Sequence, residues 1–203
     1  MEQLIYQYGK TETDALSAAD PVLGAAIERI GPIERAVMPD LFEALINAIA
    51  GQQISSKALA TVWARLCDAV GSVTPNNLLA IGEERLRACG LSGRKVQYMR
   101  SVAQAVASGA LDIHSLVDKT DEEVIRTLTA LPGVGQWTAE MLLIFSLQRP
   151  NVLAYDDLGI RRGMCRLYGM DTLKKAQFDV YYARYTPYAT VAGLYLWAVA
   201  AEP

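Results

Sequence analysis

A chain of 203 residues with one histidine, three cysteines and no apolar run of membrane-spanning length excludes several classes of protein at once. Cys67, Cys89 and Cys165 are odd in number and far apart, so they suggest neither a disulfide framework nor a cysteine-ligated metal or iron–sulfur cluster. Thiols spaced in this way are expected to be reduced and buried. The single imidazole, His114, stands near an expected helix start, where a surface or capping role is favoured over catalysis. Basic charge is also scarce. With 19 Lys and Arg against 22 Asp and Glu the net charge is −3, without the excess of positive charge usual in nucleic-acid binders. The opening MEQLIYQYGKTETD lacks the basic-then-apolar order of a signal peptide, so a cytosolic protein is expected. No segment alternates apolar and polar residues convincingly, and strands are not expected.

Apolar residues make up 52% of the chain, enough for a sizeable core in one domain or two small lobes, and they recur with helical period. Asp14 to Ile30 reads as helices around Pro21, ended by Gly31-Pro32. Asp40 is the expected cap of a helix with Leu41, Phe42, Leu45, Ile46 and Ile49 on one face. Ser55 or Ser56 can cap the next, which carries Leu59, Val62, Trp63, Leu66 and Val70. Thr74-Pro75 starts a short helix, Glu83 to Ala88 forms another, and a longer one through Val96, Met99, Val102 and Val106 ends at Gly109. Arg94 and Lys95 fall in its first turn and oppose the helix dipole; they call for a phosphate or carboxylate partner, the alternative being a solvated charged turn. Asp157 to Tyr168, Asp171 to Tyr185 and Tyr188 to Ala200 complete the series, with Leu158 expected inward, while residues 1–13 have no clear period. The predicted fold is all-α, about ten short helices in two lobes around a cleft.

The stretch from Thr120 to Asp157 is the most informative. Thr120 and Glu123 form a capping box, so a helix should begin at Asp121 and bury Val124, Ile125, Leu128 and Leu131. Pro132 stops it, Gly133 and Gly135 permit positive φ, and a second helix starts near Gln136. Helix-start amides beside so little side-chain cover form an anion site suited to phosphate. The spacing L-P-G-V-G between two helices, over residues 121–147, resembles the helix-hairpin-helix motif that holds DNA backbone through main-chain N–H groups. Followed by the pair Asp156-Asp157, it is similar to the helix-hairpin-helix DNA glycosylases, and in particular to the 3-methyladenine DNA glycosylase II family. The resemblance covers roughly Leu41 to Ala200 and implies a single glycosylase domain over residues 1–203, in the compact form without an N-terminal β domain.

That resemblance implies a set of roles. Asp157, the second Asp of Y-D-D-L-G, falls on the catalytic position, where a carboxylate stabilises the oxocarbenium-like sugar and can orient water; Asp156 is expected to cap the following helix or hold the loop, the alternative being that both are caps or surface charges. Bifunctional members carry a lysine just after the hairpin, a place held here by Trp137, so water is the implied nucleophile and an abasic site the product. Trp137, Trp197 and Met141 are expected to line a pocket for a cationic alkylated purine, with core packing the alternative for each tryptophan. Leu131, Gly133, Val134, Gly135 and Gln136 are implied to contact DNA. The run A-I-A-G-Q-Q-I-S looks like the segment that enters the minor groove, so Gln52, Gln53 and Ile54 join them, with Gln53 or Ile54 plugging the gap left by an extruded nucleotide; a solvated glutamine pair is the alternative.

Two departures from the family touch substrate range. Met141 replaces a pocket tyrosine of some members, and Tyr185 to Thr190 lacks the Trp and Arg-Ser of their W-x-P-W-R-S block. No cofactor is expected to be required and no iron–sulfur cluster, although the carbonyls of Leu131, Gly133 and Val134 are implied to hold a monovalent cation. The implied partner is double-stranded DNA containing alkylated bases, bound by a monomer away from membranes, in bacterial cytoplasm or a eukaryotic nucleus. A different class remains open: a non-catalytic helix-hairpin-helix DNA-binding module, which needs neither Asp157 nor an aromatic pocket.

Overall fold

The computed structural model describes residues 4–203. Residues 1–3, at the start of the unassigned segment 1–13, lie outside the described residues. Among the described residues the chain is all-α, as expected, with twelve α-helices, a 3-10 turn at His114–Asp118 and an isolated antiparallel bridge between Ile5 and Ala36. No helix of the described residues is long and apolar enough to cross a membrane.

Several helices begin where short polar side chains can take a first-turn amide. Asp40 accepts from the Glu43 amide ahead of α3 (Leu41–Gly51), Ser55 from Ala58 ahead of α4 (Ser56–Val70) and Thr74 from Asn77 ahead of α5 (Pro75–Ala80). The capping box of Thr120 and Glu123 opens α8 (Asp121–Thr129) with both reciprocal bonds formed. Each such cap contributes about 1 kcal/mol.

One compact unit comprises Met38–Leu142. In it α7 (Gly93–Ala107) packs against α5, α3 and α6 (Glu83–Ala88), burying Val96, Met99, Val102 and Ala103. The other unit comprises Met1–Val37 and Leu143–Pro203. Here α12 (Ala189–Ala201) is buried along most of its length, and its apolar character all round is what an enclosed helix needs. It packs on α10 (Leu158–Tyr168), α2 (Pro21–Ile30), α11 (Lys175–Tyr185) and α1 (Lys10–Ala19).

Between α1 and α2 the Asp20 carboxylate, 1% exposed, caps α2 through the amides of Val22 and Leu23 and also accepts from Tyr168 and Arg184. Burial alone would raise its pKa. The Arg184 guanidinium, the Leu23 amide and the Tyr168 hydroxyl outweigh that and hold the carboxyl below its ordinary value.

Three expected boundaries shift. The first helix begins at Lys10, and α11 begins at Lys175 rather than Asp171, because Leu173 turns into the core from extended chain and its carbonyl accepts the Tyr155 hydroxyl. α8 stops at Thr129, which leaves Leu131 half-buried in the turn instead of on the buried stripe.

Candidate functional site

Within the Met38–Leu142 unit the hairpin is built around Gly133. Its φ is +80°, and a Cβ there would lie 2.1 Å from the ring of Tyr98, so both the turn and the close approach require glycine. Gly135 does not adopt positive φ, contrary to expectation; one left-handed residue is enough for the reversal. The Val134 amide donates to the Leu131 carbonyl at 3.2 Å, and α9 (Gln136–Phe145) follows directly. Val134 is buried while Gly135, Gln136 and Trp137 are exposed, Trp137 by 41%. Gln136 turns its side-chain amide to Glu140, a buried acid one turn along α9 that the sequence reading passed over. Met141, half-buried, is four residues from Trp137 and so on the same side of the helix.

The segment after α3 lies against this hairpin. The Gln52 side-chain amide donates to the Gly133 carbonyl at 2.7 Å. Gln53 is exposed with a left-handed φ of +58°, and Ile54 is 39% exposed. Lys95 is not left in a solvated turn: its ammonium donates to the main-chain carbonyls of Ala50, at 2.8 Å, and Gln52, at 2.6 Å. Burial lowers the pKa of that ammonium.

The second group of site residues lies in the other unit. Asp157 is buried and is itself the cap of α10, its Oδ1 accepting from the Ile160 amide at 2.9 Å. The capping role expected of Asp156 therefore falls to Asp157, since Asp156 is exposed and α10 starts one residue later than a cap at Asp156 would set it. Leu158, expected inward, is 66% exposed for the same reason.

The indole of Trp197 donates from Nε1 to the same Oδ1 at 2.8 Å. Gly159 makes room for it, as a Cβ there would stand 2.5 Å from the Trp197 ring. Phe145 packs beside Trp197 with ring centroids 5.6 Å apart, and the Arg35 guanidinium lies over Phe145 at 5.0 Å. Thr190 fastens the loop leading to Asp157, donating to the Arg149 carbonyl and accepting the Val152 amide, while Tyr182 donates to the Asn151 carbonyl. Thr190 occupies the place of the missing serine in the family block, so a hydroxyl is kept there. The sequence offered a sign for Gly159 and Thr190, through the Y-D-D-L-G run and that block, and none for Arg35.

Among the described residues no group of three His, Cys, Asp and Glu side chains is placed to hold a metal ion. The three cysteines are free; Cys89 is buried, while Cys67 and Cys165 are half-buried rather than buried as expected. Burial pushes the thiols of Cys67 and Cys89 up, which suits packing rather than reaction. His114 is exposed at the head of its 3-10 turn, where Asp112 accepts its amide.

One family model matches residues 46–180, a span that includes the Gly133 hairpin and Asp157: HhH-GPD superfamily base excision DNA repair protein. The chain belongs to the HhH-GPD superfamily. Among HhH-GPD relatives, DNA-3-methyladenine glycosylase 1 of Schizosaccharomyces pombe is 36% identical over 161 residues, covering 77% of this chain and 71% of its own. The DNA-3-methyladenine glycosidase of Bacillus halodurans superposes with a TM-score of 0.84 at 37% identity, covering 99% of this chain and 93% of that one. The S. pombe 3-methyladenine DNA glycosylase Mag1, solved in complex with abasic DNA, gives a TM-score of 0.82 at 33% identity over 92% of this chain and 95% of that one.

Proposed function

We propose that this chain is a monofunctional DNA glycosylase of base excision repair, which extrudes an alkylated purine of the 3-methyladenine and 7-methylguanine class and hydrolyses its N-glycosidic bond. The observation that carries the reading is the Asp157 carboxylate, buried at a helix start and oriented through Oδ1 by the Ile160 amide and the Trp197 indole. As the bond from C1′ to the base nitrogen breaks, its electron pair leaves with the base, and a cationic alkylated purine departs as a neutral molecule. Positive charge then grows on the sugar, opposite which a fixed carboxylate lowers the barrier, and water adds to C1′ with loss of a proton.

Trp137 stands where a Schiff-base lysine would be needed for strand cleavage, which supports a hydrolytic route and an abasic product. Trp137 and Met141 are the pocket residues on α9. The three relatives named above are each glycosylases or glycosidases of 3-methyladenine, which supports the substrate class. The hairpin around Gly133, with Gln52, Gln53 and Ile54, holds duplex DNA bound by a single copy of the chain, in a bacterial cytoplasm or a nucleus. A monovalent cation suits the hairpin: the carbonyls of Leu131 and Gly133 each accept one bond and retain a second lone pair, and with Val134 they could offer hard oxygen donors that add positive charge toward a phosphate.

Incubation with methylated duplex DNA tests the reading: free 3-methyladenine and 7-methylguanine should appear in solution, and borohydride should trap no covalent complex. Binding without released base would identify a helix-hairpin-helix DNA-binding module instead.

A further inference from the structure

We infer that Lys95 is a positioning residue for nucleotide extrusion: with Gln52 it locks the Gly51-to-Ser55 segment against the hairpin, so that the residue entering DNA is presented from a fixed backbone. The inference rests on the glycosylase reading above. Three contacts carry it. The Lys95 ammonium reaches the carbonyls of Ala50 and Gln52, at the end of α3, where a helix leaves carbonyls without intrahelical donors and its dipole is negative. The side chain of the same Gln52 donates to the Gly133 carbonyl in the hairpin. Tyr98, on the next turn of α7 after Lys95, packs on the face of Gly133 that lacks a Cβ. One helix face thereby grips both DNA-facing pieces, and Gln52 bolts them to each other.

What the grip holds is a strained residue. Gln53 sits at φ +58°, a conformation that costs a side-chain-bearing residue about 1 kcal/mol relative to ordinary backbone. Strain of this kind persists where neighbouring contacts over-determine it, and the neighbours here are the carbonyls of Ala50 and Gln52 held by Lys95. Two of the three ammonium donors are committed to main chain, and the ammonium is partly withdrawn from water, so its charge serves the loop rather than a phosphate.

The test uses Lys95→Met, which keeps the apolar stem, on duplex DNA with 2-aminopurine at the position to be extruded. The fluorescence rise on binding should fall several-fold, while the salt dependence of affinity keeps its slope. Release of 3-methyladenine should fall more from a matched duplex than from a mismatched one, where unstacking costs less. Gln52→Leu, which cuts the tie to Gly133 and leaves Lys95 in place, should behave alike and stands in if the first variant does not fold. A slope reduced by about one would make Lys95 a phosphate ligand and overturn the inference. So would an unchanged fluorescence rise, or equal losses on matched and mismatched DNA. If the parent protein releases no base, the glycosylase reading fails; the fluorescence arm needs no catalysis and still decides the clamp.

Discussion

Replacing Asp157 by Asn removes a charge but leaves an oxygen for the Ile160 amide, and asparagine caps a helix as well as aspartate does. Asp157→Asn should therefore fold and bind DNA while base excision falls by about 10²–10³-fold, the scale of a lost electrostatic contact to the transition state. Asp156→Asn, at an exposed position, should change little. Single-turnover release of 3-methyladenine distinguishes them, and equal losses would undo the assignment. Beside the stacking or core-packing role that the resemblance leaves to Trp197, its indole N–H donates to Asp157 and its ring lies beside Phe145. Trp197→Phe keeps a ring and loses that donor, a hydrogen bond to a charged group being worth about 1.5–3 kcal/mol. Excision of 3-methyladenine, 7-methylguanine and neutral hypoxanthine should fall by one common factor, with no further loss in an Asp157→Asn background. A loss confined to the cationic bases would assign Trp197 the stacking role instead.

At the scale of elements, two glycines decide where helices and turns meet. Gly133→Ala forces a left-handed residue to carry a Cβ, costing about 1 kcal/mol, and drives that carbon into Tyr98. The hairpin should lose DNA affinity by about tenfold, the equivalent of some 1.4 kcal/mol, and Tyr98→Ala should recover only part of it, because the backbone strain remains. Fluorescence anisotropy on undamaged duplex measures both. Gly159→Ala places a carbon 2.5 Å from the Trp197 ring and pushes the indole off Asp157, so it should reproduce the Trp197→Phe phenotype while leaving DNA affinity alone.

At the scale of the whole molecule, one buried carboxylate ties several helices together. Asp20 links the start of α2 to Tyr168 at the end of α10 and to Arg184 on α11, in a setting where an unpaired polar group is costly. Asp20→Asn should lower stability by about 2 kcal/mol near neutral pH, read by urea unfolding. Its carboxyl titrates below its unfolded value, so this stabilisation is present above the ordinary carboxylate range and is lost as pH falls through the folded value. The gap between parent and variant should close below about pH 4; a gap that persisted there would mean that shape rather than charge sustains the link.

Local rules determined much of this protein from sequence alone. Caps at Asp40, Thr74 and Thr120, a cap at Ser55 or Ser56, the stop at Pro132 and the turn at Gly133 involve groups within a few residues of one another, so they can be read from a short stretch of chain. The helical class is legible for that reason, whereas the role of Asp157 after the hairpin is legible only through the family resemblance. Tertiary structure decided the partners. Either Asp156 or Asp157 could have capped α10, and the choice fell to the residue whose carboxylate also meets Trp197, 40 residues away. Lys95 found its acceptors 45 and 43 residues back, at the end of another helix, and the charge of Asp20 is answered by Arg184 across 164 residues. A buried polar group takes the donors that packing brings to it, and which surfaces are brought together is a property of the assembled core rather than of any neighbourhood in the chain.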